Sequence, residues 1–371
     1  MGCCLGKVLK RLTGQSEPPE SEPADDSPPF HIDEKSLDFL VPIEEGSFGP
    51  VRKAVIRKKN SGNELTVIVK KPFPLQDNQK LKRLINEKNV LCELKPHPNI
   101  VALLGLVPHK NMIVLEYADA GSLGKYLRSS LGIFVDQIVY SSVNSRGYVN
   151  QSSPPKKTDT YIRSEMKDDL GSLCTMDLVA FAYQIANGMK YLASVKCVHR
   201  DLNLENVYIT NRKTIRIGNF EIARKIETNG YYRISAFEAS LNLLWMAPET
   251  YRNNTSNEKS DVWSFAVCLH ELFSLGETPD PGVRIEDLQV FLKSGGRFKE
   301  PIYCPPRIYN FMQWCWKLDP KKRPTFSECF DFFCTNLNNY DIHMIGKIVE
   351  KLRADAENQE NIKNWARGKL A

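Results

Sequence analysis

The sequence predicts an α+β fold of two unequal lobes, a small β-rich lobe over residues 37–118 and a larger helical lobe over 119–337. Before Gly121, short β-branched runs such as "TVIVK" and "NMIVLEYA" alternate with turns, the pattern of strands packed on one face. After it come long apolar stretches, "DLVAFAYQIANGMKYLAS" and "SDVWSFAVCLHELFSL", which have the length and periodicity of buried helices. The chain has 371 residues, 42% hydrophobic and 25% charged, enough for one large or two modest domains with a sizeable core.

Within the small lobe one segment breaks the strand pattern. In "NQKLKRLINEKNVLCEL", Leu81, Leu84, Ile85, Lys88 and Leu91 recur at three- and four-residue spacing, which predicts an amphipathic helix. Residues 130–172 interrupt the helical lobe. They are polar, Ser-rich and carry Pro154-Pro155, so they read as a long flexible insertion between two helices. After residue 337 a tail over 338–371 places Ile342, Ile345, Val349 and Leu352 on one helical face.

The N-terminus divides differently. Residues 14–36 begin with "GQSEPPESEPADDSPPF", a composition expected of a disordered linker. Residues 1–13 start Met1-Gly2-Cys3-Cys4 and continue to Lys7, Lys10 and Arg11. Gly2 is a myristoylation acceptor position, although Gly6 stands where Ser or Thr is usual. One acyl chain binds a membrane only marginally, and Cys3/Cys4 palmitoylation or the basic cluster supplies the second signal. The expected location is the cytoplasmic face of a membrane. An unmodified, disordered terminus is the alternative.

Composition excludes other classes. A net charge of +6 without a basic stripe interleaved with aromatics is not the footprint of a nucleic-acid binder. The short runs Lys156-Lys157 and Lys321-Lys322-Arg323 read as solvated faces. The ten cysteines lack paired metal-site spacing and read as reduced thiols.

Five segments bear on chemistry. "EEGSFGPV", Glu44 to Val51 with Gly46 and Gly49, is a turn able to bring backbone N–H groups to phosphate. Lys70 ends "VIVK", where an ammonium reaches phosphate oxygens, and Glu87 on the amphipathic helix is placed to hold it. "HRDLNLENV" sets Asp201 and Asn206 five apart, one suited to accept a hydroxyl proton and one to bind a metal. "WMAPE" (Trp245 to Glu249) and "DVWSF" (Asp261 to Phe265) follow. Each alone has a bland reading: a surface lysine, a helix cap, a solvated charge.

In this order the set resembles the eukaryotic protein kinases over about residues 39–337, and with "WMAPE", "DVWSF", "DPGV" and "WCWKLDPKKRPTF" it is similar to the receptor-type tyrosine kinase branch. The resemblance implies the bilobal protein kinase fold. It implies catalytic roles for Lys70, Glu87, Asp201 and Asn206, and a nucleotide slot formed by Gly46, Gly49, Val51, Ile68, Lys70, Glu116, Ala118 and Tyr208. Leu115 is then the gatekeeper and Glu116 to Ala118 the hinge. Glu249 is expected to pair with Arg323, Tyr231 and Tyr232 to be activation-loop phosphosites, and 130–172 to be a kinase insert.

The same resemblance exposes departures. Asn206 stands in the metal position, but Asn219 replaces the aspartate of Asp-Phe-Gly, offering Mg²⁺ an uncharged oxygen where carboxylate is preferred. Losing one preorganised electrostatic group costs roughly a hundred- to a thousand-fold in rate. Glu221 replaces the glycine and is weighed as a substitute ligand, against the expectation that it faces away from the metal position. Ile68 stands for the alanine above adenine and Tyr208 for the leucine below it. Overfilling costs ~1–3 kcal/mol per event, so two weaken ATP binding about a thousand-fold or more. Glu44 replaces the first glycine of the turn, and Asn203-Leu204-Glu205 lacks the cation near the transferring phosphate. Asn242 and Leu244 replace the Pro and basic residue before "WMAPE". Singly, each is harmless drift; together they favour a pseudokinase that acts as scaffold or allosteric partner and needs no cofactor. The alternative is an atypical tyrosine kinase using ATP and Mg²⁺. In "GYVNQ", Tyr148 followed by Val149 and Asn150 resembles a ligand for SH2-domain adaptors once another kinase phosphorylates it. The bland alternative is a tyrosine in a loop.

Overall fold

The computed structural model describes residues 31–46, 49–57, 64–72, 78–141, 156–162, 170–226, 232–233, 242–253 and 255–366. The small lobe is built from β1 (Leu37–Gly46), β2 (Gly49–Arg57), β3 (Glu64–Lys70), helix α1 (Asn78–Glu93), β4 (Leu103–Val107) and β5 (Met112–Glu116). Its strands form one antiparallel sheet in the order β1-β2-β3-β5-β4. Strand periodicity sorts β3: Val67 and Val69 are buried in the small-lobe core, leaving Ile68 and Lys70 on the other face. Register then sets Ile68 beside Lys53 and Leu115, and Lys70 beside Val51 and Ile113.

Folded structure extends earlier than the linker reading places it. Ile32 is buried and donates its N–H to Leu106 at 2.8 Å, and Asp33 caps a turn over Glu34–Ser36. Residues 31–36 are therefore part of the small lobe. Their one apolar anchor is too little for periodicity to register.

The helical lobe opens with α2 (Leu123–Ser129), whose N-terminus Ser122 caps. The insertion follows, and it is not simply a flexible loop. Strand β6 (Phe134–Val135), β7 (Ile138–Ser141), β8 (Lys156–Tyr161) and β9 (Leu173–Cys174) lie within or beside it. β7 and β8 form an antiparallel hairpin, and β6 pairs in parallel with β9. Lys157 donates to the Pro301 carbonyl at 2.8 Å and pairs with Glu300 at 2.9 Å. Asp159 accepts from the Arg307 N–H at 2.7 Å. Ile138 is buried, and Phe134 and Tyr161 pack against the main core; so few apolar anchors in a polar stretch leave no periodicity, and the sequence reads as a loop. Tyr148 lies outside the described residues.

Helix α3 (Thr175–Ser194) is apolar nearly all round and forms the lobe's axis. Short pairs β10 (Cys197–Val198) with β13 (Arg224–Lys225), and β11 (Val207–Ile209) with β12 (Ile215–Ile217), carry the loops of the site. β14 (Tyr232–Arg233), α4 (Pro248–Asn253), β15 (Thr255–Ser256), α5 (Glu258–Phe273), α6 (Leu288–Lys293), α7 (Pro306–Cys315) and α8 (Phe326–Tyr340) complete the lobe. Asn257 caps α5, and a Thr325–Glu328 capping box starts α8. Arg323, wholly buried, meets both oxygens of Glu249 at 2.6 and 2.7 Å.

The tail forms α9 (Met344–Ala366), with a buried face that only partly overlaps the one read in the sequence: Leu352 is buried and Ile345 packs against the core. Met344, Ile348 and Leu352 are buried with Asp355 and Gln359, whereas Ile342 precedes the helix and is 74% exposed. Ile345 and Val349 are only half-buried. Counting apolar residues alone read only part of the stripe because its lower half is polar. Among the described residues, no helix is long and apolar enough to cross a membrane.

Candidate functional site

Lys70 at the end of β3 is held by two carboxylates. Its Nζ lies 2.9 and 2.7 Å from the Glu87 oxygens and 3.2 Å from Glu221 Oε1. Glu87 projects from α1 fully buried and also accepts the Phe220 N–H at 3.3 Å. Burial opposes the lysine's charge, but Glu87 and Glu221 outweigh it, with help from the Tyr208 phenol, and its pKa moves up. Glu221 is pushed up to about 7, first by burial, with repulsion from Glu87 added and Lys70 pulling the other way. Two anions thus share one cation.

The segment bearing Glu221 is fixed from α1. The Asn86 amide nitrogen donates to three carbonyls, Phe220 at 3.1 Å and Glu221 and Ala223 at 3.0 Å each. Phe220 is buried with its ring edge-on to His199, centroids 5.1 Å apart. His199 Nε2 faces the Gly218 carbonyl at 2.9 Å, and burial lowers its pKa to about 4; the ring is neutral and this nitrogen donates. Asp261 on α5 accepts the backbone N–H groups of His199 and Arg200 at 2.7 and 2.9 Å. Its carboxyl is raised to about 7 by burial despite those bonds.

Asn219 sits at φ 61°, a left-handed conformation that asparagine tolerates. Its amide can be seated two ways. In one, the nitrogen donates to Asn206 Oδ1 at 2.9 Å and Asp201 Oδ2 at 3.3 Å. Turned over, it donates to both Glu221 oxygens, at 3.2 and 3.1 Å. In both, residue 219 is wedged between the carboxylates of Asp201 and Glu221. The sequence expectation that Glu221 faces away therefore fails: its carboxylate reaches Lys70 and borders Asn219.

Asp201 is surrounded by amides. Asn203, Asn206 and Asn242 donate to its carboxylate at 3.2, 2.9 and 3.1 Å. Burial raises its pKa, and those three bonds with nearby Arg83 counter the rise. Asn206 also donates to the Asp201 carbonyl at 2.7 Å. Glu205 turns toward α2, where it accepts from Ser122 at 2.8 Å and pairs with Arg128 at 2.6 Å.

The nucleotide-slot candidates also lie together. Val51 faces Lys70 across the β2–β3 ladder, and Gly46 and Gly49 close the β1–β2 turn. Ile68 packs on the main core. The Tyr208 ring lies against Gly218, so that a Cβ there would stand 2.7 Å from Cε2. Leu115 is buried, and Ala118 accepts a turn bond from Gly121 at 3.3 Å. The Glu116 carboxylate, however, points to the rear of the hinge, toward Arg216 Nε and Gln359 Nε2, each at 2.5 Å. Arg216 in turn reaches Asp355 at 2.8 Å and the Pro98 carbonyl at 2.5 Å. Gly2, Cys3, Cys4 and Tyr231 lie outside the described residues, and of Tyr232 the backbone pairs with Ser256.

Sequence reading missed Asn86 and the tail residues Asp355 and Gln359 entirely, and met Asn203 only as part of a segment lacking a cation. Asn242 was visible only as a missing proline; its reach to Asp201 spans 41 positions.

The family profile of the protein tyrosine and serine/threonine kinases matches residues 37–333. The receptor-like tyrosine-protein kinase kin-15 of Caenorhabditis elegans is 38% identical over 359 residues, covering 92% of this chain and 72% of that protein. The tyrosine-protein kinase receptor old-1 of the same organism is 35% identical, covering 90% of the chain and 65% of the relative. Fibroblast growth factor receptor 1 of Xenopus laevis is 33% identical over 86% of the chain, which spans 38% of that receptor. This chain belongs to the protein kinase family, in its receptor-type tyrosine kinase branch.

Proposed function

We propose, with that membership as premise, that the chain is a catalytically inactive tyrosine-kinase-like pseudokinase. It acts as a scaffold or allosteric regulator in phosphotyrosine signalling. The observation that carries this reading is Lys70 bound between Glu87 and Glu221. A lysine meant for phosphate is occupied by a carboxylate of its own chain, and added phosphate would meet that carboxylate's charge.

ATP and Mg²⁺, which the family implies, fit the residues poorly. A hard cation seeks carboxylate oxygens, but the position expected to supply one holds the Asn219 amide. The remaining metal candidate, Asn206, spends its amide nitrogen on Asp201 and can spend its oxygen on Asn219. Asn242 and Asn203 cover the Asp201 oxygen that a hydroxyl would approach, and Ile68 and Tyr208 thicken the slot.

One observation favours the second reading, an atypical active tyrosine kinase. Lys70–Glu87 at 2.7 Å and the buried Phe220 form an assembled arrangement. Thermal shift and radiolabel transfer in a Mg·ATP titration separate the two. The expected result is no stabilisation at millimolar nucleotide and no label on tyrosine. Mg²⁺-dependent stabilisation with transfer abolished by Asp201→Asn overturns it.

The proposal includes a membrane tether at Gly2, Cys3 and Cys4, and recruitment of SH2-domain adaptors by Tyr148 once another protein kinase modifies it. Acyl-chain labelling lost in Gly2→Ala, and adaptor binding lost in Tyr148→Phe, are the expected outcomes.

A further inference from the structure

The tail helix α9 touches three things at once. Its first half, Met344, Ile348 and Leu352, is buried in the main core, which the large lobe mostly builds, and the helix packs on α8 of that lobe. Ile362, near its other end, packs against the small-lobe core. Between them Asp355 and Gln359 reach the hinge from behind. Asp355 accepts from Arg212 at 3.0 Å, from Arg216 at 2.8 Å and from the Thr214 hydroxyl, and Gln359 donates to Glu116 at 2.5 Å. All of these except Arg212 lie in the interior.

We propose that the rear of the hinge is a docking site whose ligand is this chain's own C-terminal helix, and that docking fixes the angle between the lobes. A helix of 23 residues is stiff over this span. Its two ends are seated on different lobes, so a change of lobe angle must unseat one end or break the polar contacts between them. The contact is built to release. Arg216 also bonds Glu116 and the Pro98 carbonyl, at 2.5 Å each, and neither contact involves α9, so undocking strands neither hinge charge. Asp355 and Gln359, being polar, tolerate water when released. The lock and its release form a two-state element. It does not depend on whether the nucleotide site is active.

The test uses the full chain without nucleotide and follows amide hydrogen exchange. In Asp355→Asn/Gln359→Ala, exchange is expected to accelerate by about ten-fold or more over residues 112–118, 214–218 and 344–366, with α3 unchanged. Ile362→Ser, which leaves the polar contacts intact and frees the small-lobe end, is expected to accelerate the same hinge residues. Acceleration confined to 344–366 in both variants overturns the proposal, because the tail is then passive. Equal acceleration in α3 also overturns it, because the tail is then part of the core. Since no nucleotide enters, neither result bears on the pseudokinase reading.

Discussion

Two buried charge clusters, one in each half of the molecule, contrast in how they balance. Arg323 meets both oxygens of Glu249, one cation to one anion, with further carbonyl acceptors from Lys317 and Lys259. Lys70 faces two carboxylates, and the second is pushed toward neutrality at about 7. The first cluster is saturated and serves the scaffold, fastening α4 to the turn before α8. The second is over-supplied with anion, two carboxylates to one ammonium. A saturated pair resists change; an unbalanced one responds to protons and substitutions.

Breaking the saturated pair should have the largest effect. Glu249→Ala leaves a fully buried guanidinium uncompensated, and about 3–5 kcal/mol of stability is expected to disappear in denaturant unfolding. A loss below about 1 kcal/mol would show that the carbonyls alone hold Arg323.

The unbalanced cluster is sharpened by pH. Glu221 titrates at its ordinary value of 4.5 when unfolded and at about 7 when folded. The folded state then holds more protons between those values, so its stabilising contribution is complete below 4.5 and is lost as pH rises through 7. Glu221→Gln removes that dependence. The variant is expected to gain on the parent between pH 5 and 8, by up to about 3 kcal/mol. Asp261 also titrates near 7, but it is common to both proteins and cancels. A constant difference across the range would place Glu221 as a fixed anion.

Restoration is a smaller and more conditional effect. Asn219→Asp alone adds a carboxylate between Asp201 and Glu221, so like charges oppose the metal position it is meant to rebuild. Nucleotide-dependent thermal stabilisation is expected only with Glu221→Gly, Ile68→Ala and Tyr208→Leu added. The smallest change is Asn86→Ala, which removes one donor from three carbonyls. About 1–2 kcal/mol should be lost in denaturant unfolding, and the pH dependence attributed to Glu221 should weaken as its segment loosens.

The contrast also marks what could be read in advance. The lobes, Lys70, Glu87, Asp201, Asn206 and the Glu249–Arg323 pair were legible because fixed motifs carry them. The second carboxylate on Lys70 was not, since Glu221 lies 151 positions away and local geometry suggested it faced elsewhere. The bonds from Asn203 and Asn242 to Asp201 were hidden for a related reason: asparagine has no periodicity to betray it. The tail was half-legible. Its helix followed from spacing, but its buried face runs from Met344 through Asp355 to Gln359, and a hydropathy count discards the two residues that reach the hinge.

That reach has a consequence for how the protein is made. Glu116 and Arg216 are synthesised more than a hundred residues before Asp355 and Gln359. A nascent chain, whose earlier parts fold first, can build both lobes before it can seat the hinge. If docking of α9 sets the lobe angle as proposed, termination before Asp355 would leave a molecule correct in each lobe and wrong in their relation. Such a product would pass a test of folding and fail one of assembly.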